Sequence, residues 1–180
     1  MAPKVFLITG TSTGFGYELV KKVISSGDHV VATARNSSKL SFDGTSSSNY
    51  LAVDLDVTQQ DSIHKAFEKA LQHFGRIDVV VNNAGYGLAG EFEYLSENQL
   101  RTQMEVNFFG LINVTRTALE TMRSQKPQGG LIQQVTSIGG QVGVPGFSLY
   151  CASKWAVEGF TESLSAEASL HPHTARSKPY

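Results

Sequence analysis

Hydrophobic residues fall along this chain in two rhythms. A short apolar run at residues 5–9, followed at once by glycines, predicts a buried strand, and further strands are read at residues 29–34, 50–55, 78–81 and 131–136. Between them, apolar positions recur at helical spacing. Leu19, Val20, Val23 and Ile24 mark a first helix that Gly27 ends. Ile63, Ala66, Phe67, Ala70, Leu71 and Phe74 mark a second, with Thr58 as its cap and Gly75 as its stop. Ser96-Glu97-Asn98-Gln99 reads as a capping box. It opens a third, long helix carrying Leu100, Met104, Phe108, Leu111 and Leu119. A last helix is expected from Tyr150 to about Leu170, with small residues Ala152, Ala156 and Gly159 for close packing. Residues 36–49 read as a polar surface loop. Gly139, Gly140, Gly143, Pro145 and Gly146 read as a mobile one.

Strand and helix alternate, which predicts a parallel sheet with right-handed crossovers. The expected fold is α/β, a Rossmann-like doubly wound parallel sheet of about five strands. Its 180 residues, 41% hydrophobic, suit one packed domain. The net charge of −1 gives no reason to expect nucleic acid or an anionic membrane as partner. The apolar run near Met1 is too short for a signal segment or a membrane span. Cys151 is the single cysteine, so no intrachain disulfide forms and a reducing, cytoplasmic setting is expected. His64 and His73 have no evident ligand partners and read as surface residues. No metal site is expected.

Three places carry candidate chemistry. The first is Thr9-Gly10-Thr11-Ser12-Thr13-Gly14-Phe15-Gly16, glycines set between a strand and a helix N-terminus. Backbone N–H groups and the helix dipole favour phosphate there, although a plain glycine-rich turn would read the same way. The second is Arg35, just after the second strand. An acidic residue in this region would meet a ribose hydroxyl of NAD, whereas a guanidinium suits the 2′-phosphate of NADP. An ordinary surface cation is the other reading. The third is Tyr150 and Lys154, four residues apart on one helical face. A phenol is a poor base at neutral pH. An ammonium at about 4 Å favours its ionised form by roughly 4 kcal/mol at an effective dielectric of 20, enough for acid–base work near neutrality. Alone, the pair could equally be a half-buried aromatic and a solvated cation. Asn107, a weak helix former inside an apolar helical row, also invites a reason.

Taken in order, these motifs resemble the short-chain dehydrogenase/reductase family over about residues 4–167. The resemblance implies a cofactor loop at Gly10, Thr11, Ser12, Thr13, Gly14, Phe15 and Gly16. It implies that Asp56 and Val57 meet the adenine, and that Asn83, Ala84 and Gly85, after Asn82, support the sheet and the cofactor ribose. Asn107, Ser137, Tyr150 and Lys154 match the family's catalytic tetrad. Tyr150 would exchange a proton with the substrate oxygen and Ser137 would hold that oxygen. Lys154 would tune Tyr150 and bind the nicotinamide ribose, and Asn107 would hold a relay water. The implied activity is reduction of a ketone or aldehyde with NADP(H), or oxidation of the corresponding alcohol. The run from Tyr150 to Phe160 looks most like broad-range microbial members, including reductases of secondary metabolism. Helices used by the family for dimerisation are present, so a homodimer or homotetramer is implied.

After Glu167 the sequence leaves the family pattern. Residues 168–180 are polar, contain Pro172 and Pro179, and show no strand pattern, so they are expected to form an irregular tail beyond a domain at 1–167. The chain therefore reads as a shortened member, with C-terminal strands missing and the fifth strand left as a sheet edge. The His171-x-His173 pair reads as solvated. An alternative from another class is a truncated, non-catalytic cofactor-binding or interaction protein. An epimerase or dehydratase of the extended branch is disfavoured by the spacing of Gly10, Gly14 and Gly16.

Overall fold

In the computed structural model, residues 2–169 and 176–179 are described. The elements in order are β1 (Val5–Ile8), α1 (Gly14–Ser25), β2 (His29–Ala34), β3 (Tyr50–Asp54), α2 (Gln60–Phe74), β4 (Val79–Asn82), α3 (Glu97–Met104), α4 (Leu111–Ser124), β5 (Leu131–Gln134), α5 (Ser148–Ser169) and β6 (Arg176–Pro179). The strands form one parallel sheet in the order β3-β2-β1-β4-β5-β6. The doubly wound topology expected from the apolar rhythm is therefore present.

Each face of the sheet is covered. Leu7, Val31, Val80 and Ile132 join Ile63, Ala66 and Phe67 of α2 and Val114, Ala118 and Met122 of α4 in one apolar cluster. Ile8, Val30, Ala32 and Val81 join Val20 and Val23 of α1 in another. Neighbours along β1 thus point into different layers, the period-two rule of a strand buried on both faces.

The structure differs from the sequence expectation in four places. First, the long third helix is not continuous. Residues Glu105–Gly110 form a π-helical segment between α3 and α4. Second, Thr58 does not cap α2. Gln59 holds that position, while the Thr58 hydroxyl donates to Asp56 Oδ1 at 2.8 Å. Third, the glycine-rich loop is partly built in. Ile138–Gly140 form a 3-10 turn in which Gly139 and Gly140 are buried, and Gly90 N–H donates to the Gly146 carbonyl at 2.9 Å. Fourth, the expected irregular tail contributes β6, paired with β5 from Leu131↔Arg176 to Gln134↔Pro179, so β5 is not the sheet edge. Residues 170–175, with His171 and His173, lie outside the described residues. The capping box of α3 forms as expected, and Gly75 closes α2 in the left-handed region (φ 77°).

Candidate active site

The glycine loop leaves β1 and enters α1 under tight constraint. A Cβ on Gly10 would lie 2.8 Å from Ala84 Cα, and one on Gly16 would collide with the Gly10 carbonyl oxygen and sit 2.5 Å from Asn83 Nδ2. Neither position accepts a side chain. Gly14 is different. It takes φ 62° and has nothing within 4 Å of a Cβ, so open space lies before it. Thr13 stands at the N-cap of α1 without a side-chain cap bond, and the first turn carries no acidic residue. Ser12, Thr13, Gly14 and Phe15 are exposed. A helix start with free N–H groups, open space and no competing carboxylate fits a pyrophosphate.

Thr11 does not share that openness. It is fully buried, and its hydroxyl donates to the Thr33 carbonyl at 3.1 Å. It fastens the loop to the end of β2. Arg35 follows β2 and is exposed. The turn behind it is anchored by Asp54, whose Oδ1 accepts the Ser37 N–H at 2.7 Å. That bond holds the Asp54 carboxyl below its usual range. Asp56 Oδ1 accepts the N–H and the hydroxyl of Thr58, while Val57 is buried against Gly110. Asn83 stitches β4 to the glycine loop. Its Nδ2 donates to the carbonyls of Thr9 (2.9 Å) and Gly10 (3.0 Å), and the N–H groups of Asn83 and Ala84 both reach Thr9 Oγ1 at 3.0 Å. Gly85 is exposed beside Asn107, whose Oδ1 would lie 3.1 Å from a Cβ there.

At the exit of β5 the residues expected to do acid–base work come together. Lys154 is only 6% exposed, and its Nζ donates to the Val135 carbonyl at 2.8 Å. Burial pushes its pKa below the ordinary lysine value, while the Glu158 carboxylate pulls upward. Nζ lies 5.9 Å from the centre of the Tyr150 ring. Two residues beyond Val135, Ser137 Oγ accepts the Gly139 N–H at 3.1 Å, which leaves its own hydrogen to donate. A Cβ on Gly139 would lie 3.3 Å from Tyr150 Cε1, so Ser137 and the phenol ring flank one turn. The Asn107 side chain is fully engaged. Oδ1 accepts the Tyr86 N–H at 3.0 Å, and Nδ2 donates to the Tyr86 carbonyl at 2.8 Å and to Ser153 Oγ at 3.3 Å. Ser153 in turn donates to the Tyr150 carbonyl at 2.7 Å.

Three contributors were missed by sequence reasoning. Gln103 binds the backbone of Tyr86 and Leu88. Ser153 links Asn107 to α5. Thr136 donates to Glu158 Oε1 at 2.6 Å and ties the β5 exit to the helix bearing Lys154. A signal existed for Gln103, a polar residue four before Asn107 on the same apolar helical row.

The chain belongs to the short chain dehydrogenase family, whose model matches residues 4–173. An oxidoreductase, calM, of Penicillium decumbens is 42% identical over 176 residues, which are 95% of this chain and 57% of that protein. A short chain dehydrogenase of Burkholderia cenocepacia, solved in complex with NADP, superposes with a TM-score of 0.86 at 30% identity, covering 98% of this chain and 70% of that one. The 3-ketoacyl-(acyl-carrier-protein) reductase of Brucella melitensis, complexed with NADH, gives 0.89 at 29% identity over 98% of this chain and 74% of that one. The chain spans 54–61% of the length of the first curated relatives that it matches. No helix among the described residues is long and apolar enough to cross a membrane.

Proposed function

We propose that this chain carries the cofactor site and the acid–base site of an NADP(H)-dependent oxidoreductase, acting on a ketone or aldehyde or, in reverse, on the corresponding alcohol. The observation that carries the reading is the assembly at the β5 exit. A buried ammonium, a serine hydroxyl free to donate and a phenol ring gather around the turn after β5, at the same end of the parallel strands as the glycine loop. NADP(H), when bound, supplies or accepts the hydride. Gly14, Thr13 and Phe15 would receive its pyrophosphate through their N–H groups, Asp56 and Val57 would border the adenine, and Arg35 would pair with its 2′-phosphate.

The chain's own residues handle the proton. Tyr150 donates it to the substrate oxygen in reduction and takes it back in oxidation. The Ser137 hydroxyl holds the same oxygen and fixes its distance from the phenol. Lys154 keeps a positive charge beside the ring and offers a donor to the ribose. Both polar atoms of the Asn107 side chain are taken by Tyr86, so a relay water to Lys154 would rest on its main-chain carbonyl.

The first test is a titration with NADPH and NADH, read by energy transfer from Trp155, the single tryptophan, which adjoins Lys154 and is half-exposed. Saturable binding with NADPH tighter is expected. In Arg35→Ala, NADPH should weaken about 10–100-fold while NADH is unchanged, the range for a hydrogen bond to a charged group. Equal loss of both would remove Arg35 from the phosphate site. On a panel of simple ketones, Tyr150→Phe should keep cofactor binding and lose turnover. Unchanged turnover would sink the mechanism, and a wild-type chain that binds cofactor but turns over no ketone would favour the non-catalytic reading.

A further inference from the structure

We propose that Gln103 is a positioning residue for Tyr150, acting through a backbone clamp on residues 86–88. The inference rests on the acid–base role given to Tyr150 above.

Gln103 lies on the inner face of α3 and is fully buried, whereas Glu97, Asn98, Arg101 and Thr102 on the same helix are exposed. A buried amide is costly unless both its ends are bonded. Here both are. Oε1 accepts the Leu88 N–H at 2.7 Å, and Nε2 donates to the Tyr86 carbonyl at 2.8 Å. The amide orientation follows from the partners, because an N–H can only donate and a carbonyl can only accept. One turn later Asn107 takes the Tyr86 N–H and adds a second donor to the Tyr86 carbonyl. Residues 86–88 lie beyond the end of β4, so these side chains replace a strand neighbour.

The clamp closes on Gly87. A Cβ there would lie 3.6 Å from Phe147 Cε1 and 3.8 Å from Tyr150 Cδ2. A Cβ on Gly139 would lie 3.3 Å from Cε1 of the same ring, on its other edge. Tyr150 therefore sits in a slot between two glycine backbones. Asn107 fixes only the Tyr86 end of one wall, and the Leu88 end rests on Gln103. Without that bond residues 87–88 are free to swing, the slot widens, and the phenol loses its fixed approach to the substrate oxygen. A misplacement of about 1 Å can cost about 100-fold in rate.

The test compares the full chain with Gln103→Met, which removes both bonds at similar volume, and with Gln103→Glu. A carboxyl in that buried place protonates and keeps one donor and one acceptor. In Gln103→Met, exchange of the Leu88 amide should accelerate roughly 100-fold as its site opens locally, while that of Val80 in β4 stays as in wild type. The Cζ resonance of a 13C-labelled Tyr150 should move. With ketone substrate, kcat should fall about 10–100-fold at unchanged NADPH affinity. Gln103→Glu should restore most of each signal. Wild-type exchange at Leu88 in Gln103→Met overturns the clamp. Faster exchange with Tyr150 resonance and kcat unmoved overturns its link to the site. If the wild type itself shows no turnover, that failure belongs to the functional reading, and the amide and tyrosine signals still decide this one. If Gln103→Met does not fold, Gln103→Leu is read for the same amide, and collapse of Gln103→Glu as well would make the residue a folding determinant and overturn the positioning role.

Discussion

Lys154 holds its ammonium where charge is penalised, with one carbonyl to donate to and Glu158 one helical turn away. The consequence for stability has a definite sign. Its pKa in the folded protein lies below the unfolded value of 10.5. Between those two values the unfolded chain binds the extra proton, so stability rises with pH across that window. Below the folded pKa the penalty is present in full. Tyr50 acts oppositely, because burial raises its pKa above 10.0 and stability is lost as pH climbs past that point. Comparing wild type with Lys154→Met cancels the tyrosine. Urea midpoints at pH 8 and pH 10 should converge on those of the variant as pH rises, and a constant difference would refute a shifted lysine. Glu158→Gln should lower the Lys154 pKa further, seen as an earlier titration of its Nζ resonance. At this scale the grouping of Tyr150, Lys154 and Ser137 around one turn was legible because motif spacing survives folding. Gln103 was not weighed, since a glutamine in an amphipathic row looks like an exposed residue until its partners, 15 and 17 residues away, are in place.

The π-helical segment Glu105–Gly110 shows what hydrophobic spacing leaves out. Leu100, Met104 and Phe108 are only half-buried, whereas Gln103, Asn107 and Gly110 are buried, so the apolar row marks neither the inward face nor the interruption. π segments occur mostly as single turns inside α-helices and often at functional sites. Here the segment carries Asn107 inward to Tyr86 and brings Gly110 against Val57. A Cβ on Gly110 would lie 2.6 Å from Val57 Cγ2 and 2.9 Å from its Cβ. Gly110→Ala should therefore destabilise by about 1–3 kcal/mol from overpacking, against about 1 kcal/mol gained in helix propensity. Chemical denaturation should show a lower midpoint, and a raised one would mean that Val57 yields freely. Strands β1 to β5 were legible as short, mostly apolar segments between helical patterns. β6 was not, because Arg176-Ser177-Lys178-Pro179 is polar and its pairing with β5 is made by backbone groups, which no side-chain pattern records.

Across the whole molecule, one sheet separates two apolar layers, and β1 belongs to both. Leu7 enters one cluster and Ile8 the other, each fully buried. Leu7→Ala and Ile8→Ala should each cost about 2–5 kcal/mol and lower the midpoint of a single cooperative transition. Separate transitions would mean that the layers unfold independently. The fold class was legible at this scale because alternation of strand and helix restricts topology so strongly. The strand order has a further consequence, for synthesis. β1 is made before the strands it pairs with yet sits centrally, and one of its two neighbours, β4, lies far along the chain, with Val5 and the Asp78 that binds it 73 residues apart. At about 5–20 residues per second, the nascent chain holds β1 half-paired for roughly 4 to 15 s. For that interval the wholly apolar strand β1 presents an open edge, and the ribosome-bound chain is at its most vulnerable to foreign strands while its glycine loop is held only by Thr33, before Asn83 and Ala84 are there to close it.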